Sequence, residues 1–334
     1  MAMIEVDPGL ESVEVEGFRF PLGVYPIEPL EPMSGYVEEF EAADGGPELW
    51  SGDDAPVGDD WEEWPDRIMF DAVVSSERLP TLVRTLMSML PTRVYPILDV
   101  LGNDAYREVD PYIAYDTVGV DRVLDGMRSY KGWLFEDGLV GFGAMSLEPF
   151  LYVFVDEHKI VTVRAELALK EKVEGVLGAF GLGSVAEIKG ADAAAHEHRG
   201  VLLLPDAEHP HRVSSEEIVD RLRRHWSLQL NIDRMSNVDE EGKALGVTAW
   251  QAMVRVHGEE ESMRYAEVWL AAGSYDEAES LALDAAEGDG GAGVEGEVVQ
   301  LDRVVRSQAE EVLGMGELVL EGAALFRMRW LGEE

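Results

Sequence analysis

The sequence predicts an α+β fold: antiparallel sheets with helices packed on one face, preceded by an acidic, proline-rich arm. Three observations lead there. A hairpin pattern followed by a helical pattern occurs twice, near residues 150–180 and 249–286. Both have helices returning after antiparallel strands, which is the α+β arrangement. Apolar residues alternate along the segments read as strands and recur every three or four residues along those read as helices. We read an arm or linker over 1–66, one α+β domain over 67–205 and a second over 206–334. A ferredoxin-like split βαβ sandwich is the finer expectation for each.

Residues 1–66 hold eight of the fifteen prolines, and FPLGVYPIEPLEP reads as extended backbone. The acidic, Gly- and Pro-rich stretch that follows reads as a loop. It nevertheless carries Trp50, Trp61 and Trp64, and exposed indoles waste apolar area. The expectation is an arm that docks through these rings on the body or on a partner.

RIMFDAVVS is a strand by its β-branched and aromatic content. Ser76 is placed to cap the next helix, whose Leu79, Leu82, Val83, Leu86 and Leu90 form a core-facing stripe. Pro80 fits the first turn and Pro91 ends the helix. RVYPILDVLG is a strand in which Pro96 argues for an edge position or a bulge. A helix over about 120–135 and two strands, LVGFGAMS and PFLYVFVDEHKIVTVRAEL, follow. The second is a hairpin turning at Asp156-Glu157-His158-Lys159, and glycines 141 and 143 suggest a bulge. ALKEKVEGVLGAFGLG is a helix with Gly181 or Gly183 as its C-cap. VAEIKG and GVLLLPD are short strands.

Ser214 and Glu217 form a capping box before a helix that aligns Ile218, Leu222 and Trp226. WQAMVRVHGEEESMRYAEVWLA is a hairpin. Ser274 and Glu277 make a second capping box, EGDGGAGVEGE a flexible acidic loop, and a helix over about 298–313 precedes the final strand, ALFRMRWL.

The 334 residues carry 67 Asp and Glu against 27 Lys and Arg, a formal net charge of −40, and no cysteine. Absence of cysteine excludes disulfides, thiolate catalysis and cysteine-ligated metals. The acidic excess sits in the flanks: −18 over 1–66, −5 over 67–190 and −17 over 191–334. Direct nucleic-acid binding needs clustered Lys and Arg, which are missing. The segment MAMIEVDPGLE has neither the basic nor the apolar region of a signal peptide, and no run of about 18 apolar residues predicts a membrane span. The expected location is cytoplasmic.

Four of the seven histidines lie close together: His196 and His198 in AHEHRG, His209 and His211 in EHPHRV. An H-x-H pair on a strand presents two imidazoles on one side. Two such pairs converging on one divalent metal is the only cofactor the residues suggest. If the segment between them stays extended, however, His198 and His209 stand about 35 Å apart. A second candidate is the carboxylate cluster Asp104, Glu108, Asp110 and Asp116, since two carboxylates about 5–10 Å apart can do acid–base work. The glycine patterns lack the strand-to-helix context and the lysine of a phosphate loop.

These features favour a non-enzymatic interaction module whose partner is a protein, basic or a second copy of this chain, with neither nucleic acid nor membrane involved. The alternatives are a hydrolase, metal-dependent or carboxylate-based, and an acidic charge mimic that inhibits a basic nucleic-acid-binding protein.

Overall fold

Alternating burial along Arg67–Val73, Arg93–Leu101 and Val161–Glu166 sends every second side chain into one core, as a half-covered antiparallel sheet requires. The computed structural model describes residues 4–43, 64–206, 208–257, 263–290 and 294–331. It divides into two compact units, residues 1–100 with 111–230, and residues 101–110 with 231–334. The fold is mixed α+β with antiparallel sheets. The segment 35–41 and the helix 215–226 both fall within the first unit.

The first unit contains β1 (Glu14–Val15), β2 (Phe18–Arg19), β3 (Val24–Pro26), β4 (Gly35–Glu41), β5 (Arg67–Val73), α1 (Leu79–Met87), β6 (Arg93–Leu101), β7 (Val109–Ile113), β8 (Val118–Gly119), α2 (Val120–Ser129), α3 (Lys131–Leu134), β9 (Val140–Leu147), β10 (Phe150–Val155), β11 (Val161–Glu166), α4 (Lys170–Ala179), β12 (His196–His198), α5 (Ser215–Trp226) and β13 (Gln229–Leu230). Its main sheet runs β13-β7-β6-β9-β10-β11-β5-β4, with β8 also paired to β6. Phe70, Leu98, Phe142, Val153 and Val163 from the sheet meet Leu82, Leu86, Met127, Leu177, Leu222 and Trp226 from the helices in one buried core. Trp226 donates its indole N–H to the Arg122 carbonyl at 3.1 Å, and its ring lies so close to Gly126 that a β-carbon there would sit 2.7 Å away.

Several local expectations change. Ser76 does not cap α1; the Arg78 and Leu79 N–H groups go to the Ser75 carbonyl instead. Pro96 occupies an interior strand without a bulge, paired to Ala144. Its carbonyl accepts from Ala114, one residue past the end of β7, so its missing donor faces the point where that neighbour has run out. Glycines 141 and 143 stand in regular register, with Gly143 opposite Phe154. They are needed because the Phe154 ring rests on their backbone. The stripe of α1, the Ser214 cap (3.3 Å to the Glu217 N–H) and the left-handed Gly181 after α4 follow the sequence pattern.

The second unit holds β14 (Thr248–His257), β15 (Met263–Ala272), α6 (Tyr275–Gly290), β16 (Glu295–Val304), α7 (Arg306–Leu313) and β17 (Ala324–Trp330), with strand order β16-β14-β15-β17. Ala278, Ala282 and Ala286 of α6 pack on Trp250, Ala252, Val254 and Val268. Ala309 of α7 and Leu318 pack with Ala249, Trp269 and Val304 in a separate core. Neighbouring residues of a strand point to opposite faces, so Trp250 and Ala249 place these helices on both faces of the sheet, where the pattern led us to expect one. The helix expected from residue 298 begins only at 306. Residues 295–304 pair with β14 because Val298, Leu301 and Val304 complete that sheet's faces.

A β-carbon on Gly143 would lie 2.3 Å from the Val153 carbonyl, which the strand pairing holds in place. Gly143→Ala is expected to cost about 3 kcal/mol in urea unfolding. Gly175→Ala, in open space on α4, is expected to be neutral or stabilising by up to about 1 kcal/mol.

Candidate metal centre

The strand β12 pairs antiparallel with β3, His196 opposite Pro26 and His198 opposite Val24. Alternation turns Glu197 out to solvent and puts both imidazoles on the other side, half-buried. The third histidine comes from the turn between β10 and β11. There the Asp156 carboxylate accepts the Ile160 N–H at 2.7 Å, and Lys159 takes a left-handed conformation with φ of 66°. The Lys159 ammonium is buried and donates to the Val140 carbonyl at 2.5 Å. Burial holds its pKa down at about 8. The turn so pinned presents His158 to the other two rings.

The three rings meet edge to face, with centroids 4.7–4.9 Å apart. His196 Nε2 lies 3.1 Å from His158 Nε2 and 3.0 Å from His198 Nε2. The far nitrogens decide the tautomers. His196 Nδ1 donates to the Ala194 carbonyl at 2.7 Å, and His198 Nδ1 donates to the Gly138 carbonyl at 2.6 Å. A carbonyl can only accept, so both rings carry the proton on Nδ1 and turn an Nε2 lone pair inward. His158 Nδ1 faces carboxylates, Glu157 at 3.2 Å and Asp156 at 3.7 Å, and is likewise a donor.

Lone pairs this close repel unless a cation lies among them. Burial alone would lower the His158 pKa, but Asp156 and Glu157 outweigh it and push it up to about 10. Glu157, bonded to His158, is drawn down to about 2. Burial and the two neighbouring rings lower His198. The site therefore favours positive charge, yet one proton on His158 can bond to only one of the facing nitrogens. A divalent ion can bond to all three. Nitrogens 2.0–2.1 Å from a metal stand about 3.3 Å apart on a tetrahedral face and about 3.0 Å apart on an octahedral one. The two spacings about His196, 3.1 and 3.0 Å, match either. Histidine ligands anchored by carbonyls and a carboxylate at their other nitrogen are the usual support of such centres. Among the described residues, no fourth histidine or carboxylate joins the group.

One of the two H-x-H pairs thus belongs to the centre and the other does not. His209 and His211 are exposed; His209 bonds to Asp206 at 3.1 Å. The residue that sequence reasoning missed is His158, whose only signal is its place in the DEHK hairpin turn. Trp64 packs edge-on against Phe150 at 5.1 Å with Arg67 over its ring, so it is used within the chain. Trp50 and Trp61 lie outside the described residues.

The carboxylate candidates meet arginines. Asp104 is buried in a forked pair with Arg303, whose Nε, Nη2 and backbone N–H reach it at 2.9–3.0 Å. Asp110 bonds to Arg107 at 2.7 Å. Glu108 is exposed, and its backbone N–H donates to Glu240. Asp116 is exposed in the first unit. The carboxylate that stands out is Asp302. Burial, with Asp110 and Asp104 nearby, pushes it up to about 6.

Comparison with known proteins finds no matching family model, curated protein or solved structure.

Because Asp302 binds its proton more tightly in the folded state, its favourable contribution is complete below about pH 4 and is lost as pH rises through about 6. Asp302→Asn, which stays neutral, is expected to raise stability at pH 7.5 by about 1–3 kcal/mol. That gain should vanish near pH 4 in urea unfolding followed across pH.

Proposed function

We propose that this chain is a metalloprotein that holds one divalent first-row ion, zinc by donor set, on the Nε2 atoms of His158, His196 and His198, and uses it in metal-assisted hydrolysis. The observation that carries the reading is the convergence of three lone pairs whose tautomers are set from behind. Imidazole donors suit zinc and its first-row neighbours. Three protein ligands leave coordination positions for water or a substrate oxygen, whereas closed structural zinc sites take four protein ligands. An ion held this way would supply Lewis acidity and lower the pKa of a water molecule bound to it. Asp156 and Glu157 hold His158 in its ligating tautomer and supply negative charge beside the ion.

The test begins with elemental mass spectrometry on natively purified protein, which should find about one ion per chain. Zinc titration of chelator-stripped protein should give saturable one-site binding, weakened by more than about 100-fold in His196→Ala and unchanged in His211→Ala. Zinc should also restore hydrolysis of p-nitrophenyl acetate or bis-p-nitrophenyl phosphate. A protein that neither carries nor binds metal overturns the reading. Stoichiometric binding without hydrolysis of either probe overturns its catalytic half.

A further inference from the structure

We infer that the same ion acts as a clip: its occupancy sets how firmly a peripheral layer, built from residues 4–33 and 189–203, stays closed over the end of the main sheet. The inference rests on the metal-binding reading and adds a mechanical role to the site.

The two segments are zipped together along most of their length. Val6 bridges Leu202, β3 pairs with β12, and Met33 bridges Lys189. Backbone bonds fill the intervals: Asp7 N–H to the Val201 carbonyl at 2.8 Å, Leu203 N–H to Glu5 at 2.9 Å, and Ile27 N–H to Ala195 at 3.0 Å. The layer has its own small core, in which Phe20, Val24 and Ala191 are buried against Phe18 and Leu30. None of these residues belongs to the principal core of the unit, on whose margin only Ile4 and Leu202 of the layer pack.

Attachment to the rest of the unit includes several polar links. One set gathers on residues 136–138. Gly23 N–H donates to the Glu136 carbonyl at 2.6 Å, Val201 N–H to the Asp137 carboxylate at 2.9 Å, and His198 Nδ1 to the Gly138 carbonyl. A second set joins Arg19 to the segment after β5: its N–H donates to Ser75 Oγ at 3.1 Å and its carbonyl accepts the Ser76 N–H at 2.9 Å. A third link is the histidine triangle. Two of its members, His196 and His198, ride on the layer, while His158 rides on the β10–β11 turn of the main sheet. An ion bound by all three joins the two bodies with coordinate bonds. Without an ion the same junction has only the hydrogen bond between His158 and His196, 3.1 Å long. Metal binding to the closed state alone shifts closure by mass action.

Hydrogen exchange on the full chain, read by mass spectrometry after chelator stripping, tests this. Zinc at 100 times its dissociation constant should slow exchange of β12 amides and their β3 partners by up to about 100-fold where opening of the layer governs them. Amides of β14 in the second unit should not change. His158→Ala keeps both ligands on the layer and removes the one on the sheet, so zinc should give it no protection there. Parent protein that binds one zinc by calorimetry yet exchanges unchanged in the layer overturns the clip and leaves the metal site standing. Parent protein that binds no zinc overturns both. The comparison on parent protein needs no variant to fold.

Discussion

Everything at the centre follows from one electrostatic constraint: three imidazole Nε2 atoms gathered around His196, at 3.0 and 3.1 Å from it, need a proton or another cation among them. The constraint is imposed from outside the triangle. Carbonyls of Ala194 and Gly138 and the carboxylates of Asp156 and Glu157 claim the Nδ1 protons, and so decide what the opposite nitrogens present. Those supports depend on the fold in turn. The buried Lys159 ammonium pins the hairpin turn, pairing with β3 positions β12, and Gly138 follows Asp137, whose carboxylate takes the N–H groups of Leu139 and Val201. Loosening any of them would let a ring turn and relieve the repulsion without an ion.

The charge of the chain bears on this site. A chain with a net charge of −40 draws cations toward it, and two carboxylates stand beside His158 where the three imidazoles converge. Elsewhere much of the acidity is spent locally. Asp104 shows how a buried carboxylate is tolerated: Arg303 grips it with side chain and backbone together, and Arg303 in turn donates to the Val238 carbonyl at 2.6 Å and to Asn237 at 3.1 Å. Asp302 lacks an arginine of its own at hydrogen-bond distance among the described residues, bonding instead to Gln300, and holds its proton up to about pH 6.

What could be read from the residues follows the range of the interactions that produce them. Helix caps at Ser214 and Ser274, the α1 stripe and the Asp156–Lys159 turn are local, and the pattern showed them. The shared face of His196 and His198 is a strand's period of two. The partner that completes the site is 38 residues away and meets them only through the folded sheet, so no spacing could nominate His158 over His209. The residues from 298 onward looked helical because their apolar spacing fits both periods; pairing with β14 settles it as strand. Glycines 141 and 143 pointed to a bulge, since nothing in the local sequence reveals that a ring ten or more residues later will lie on that backbone. Pro96 was misread for the same reason: the end of its neighbouring strand is a tertiary fact.

The most direct measurement is a crystal structure of zinc-soaked protein with diffraction recorded on both sides of the zinc absorption edge. One strong anomalous peak is expected, bonded to Nε2 of His158, His196 and His198 at about 2.0–2.1 Å from each. A peak elsewhere, or three rings turned so that an Nε2 no longer faces the others, would contradict it.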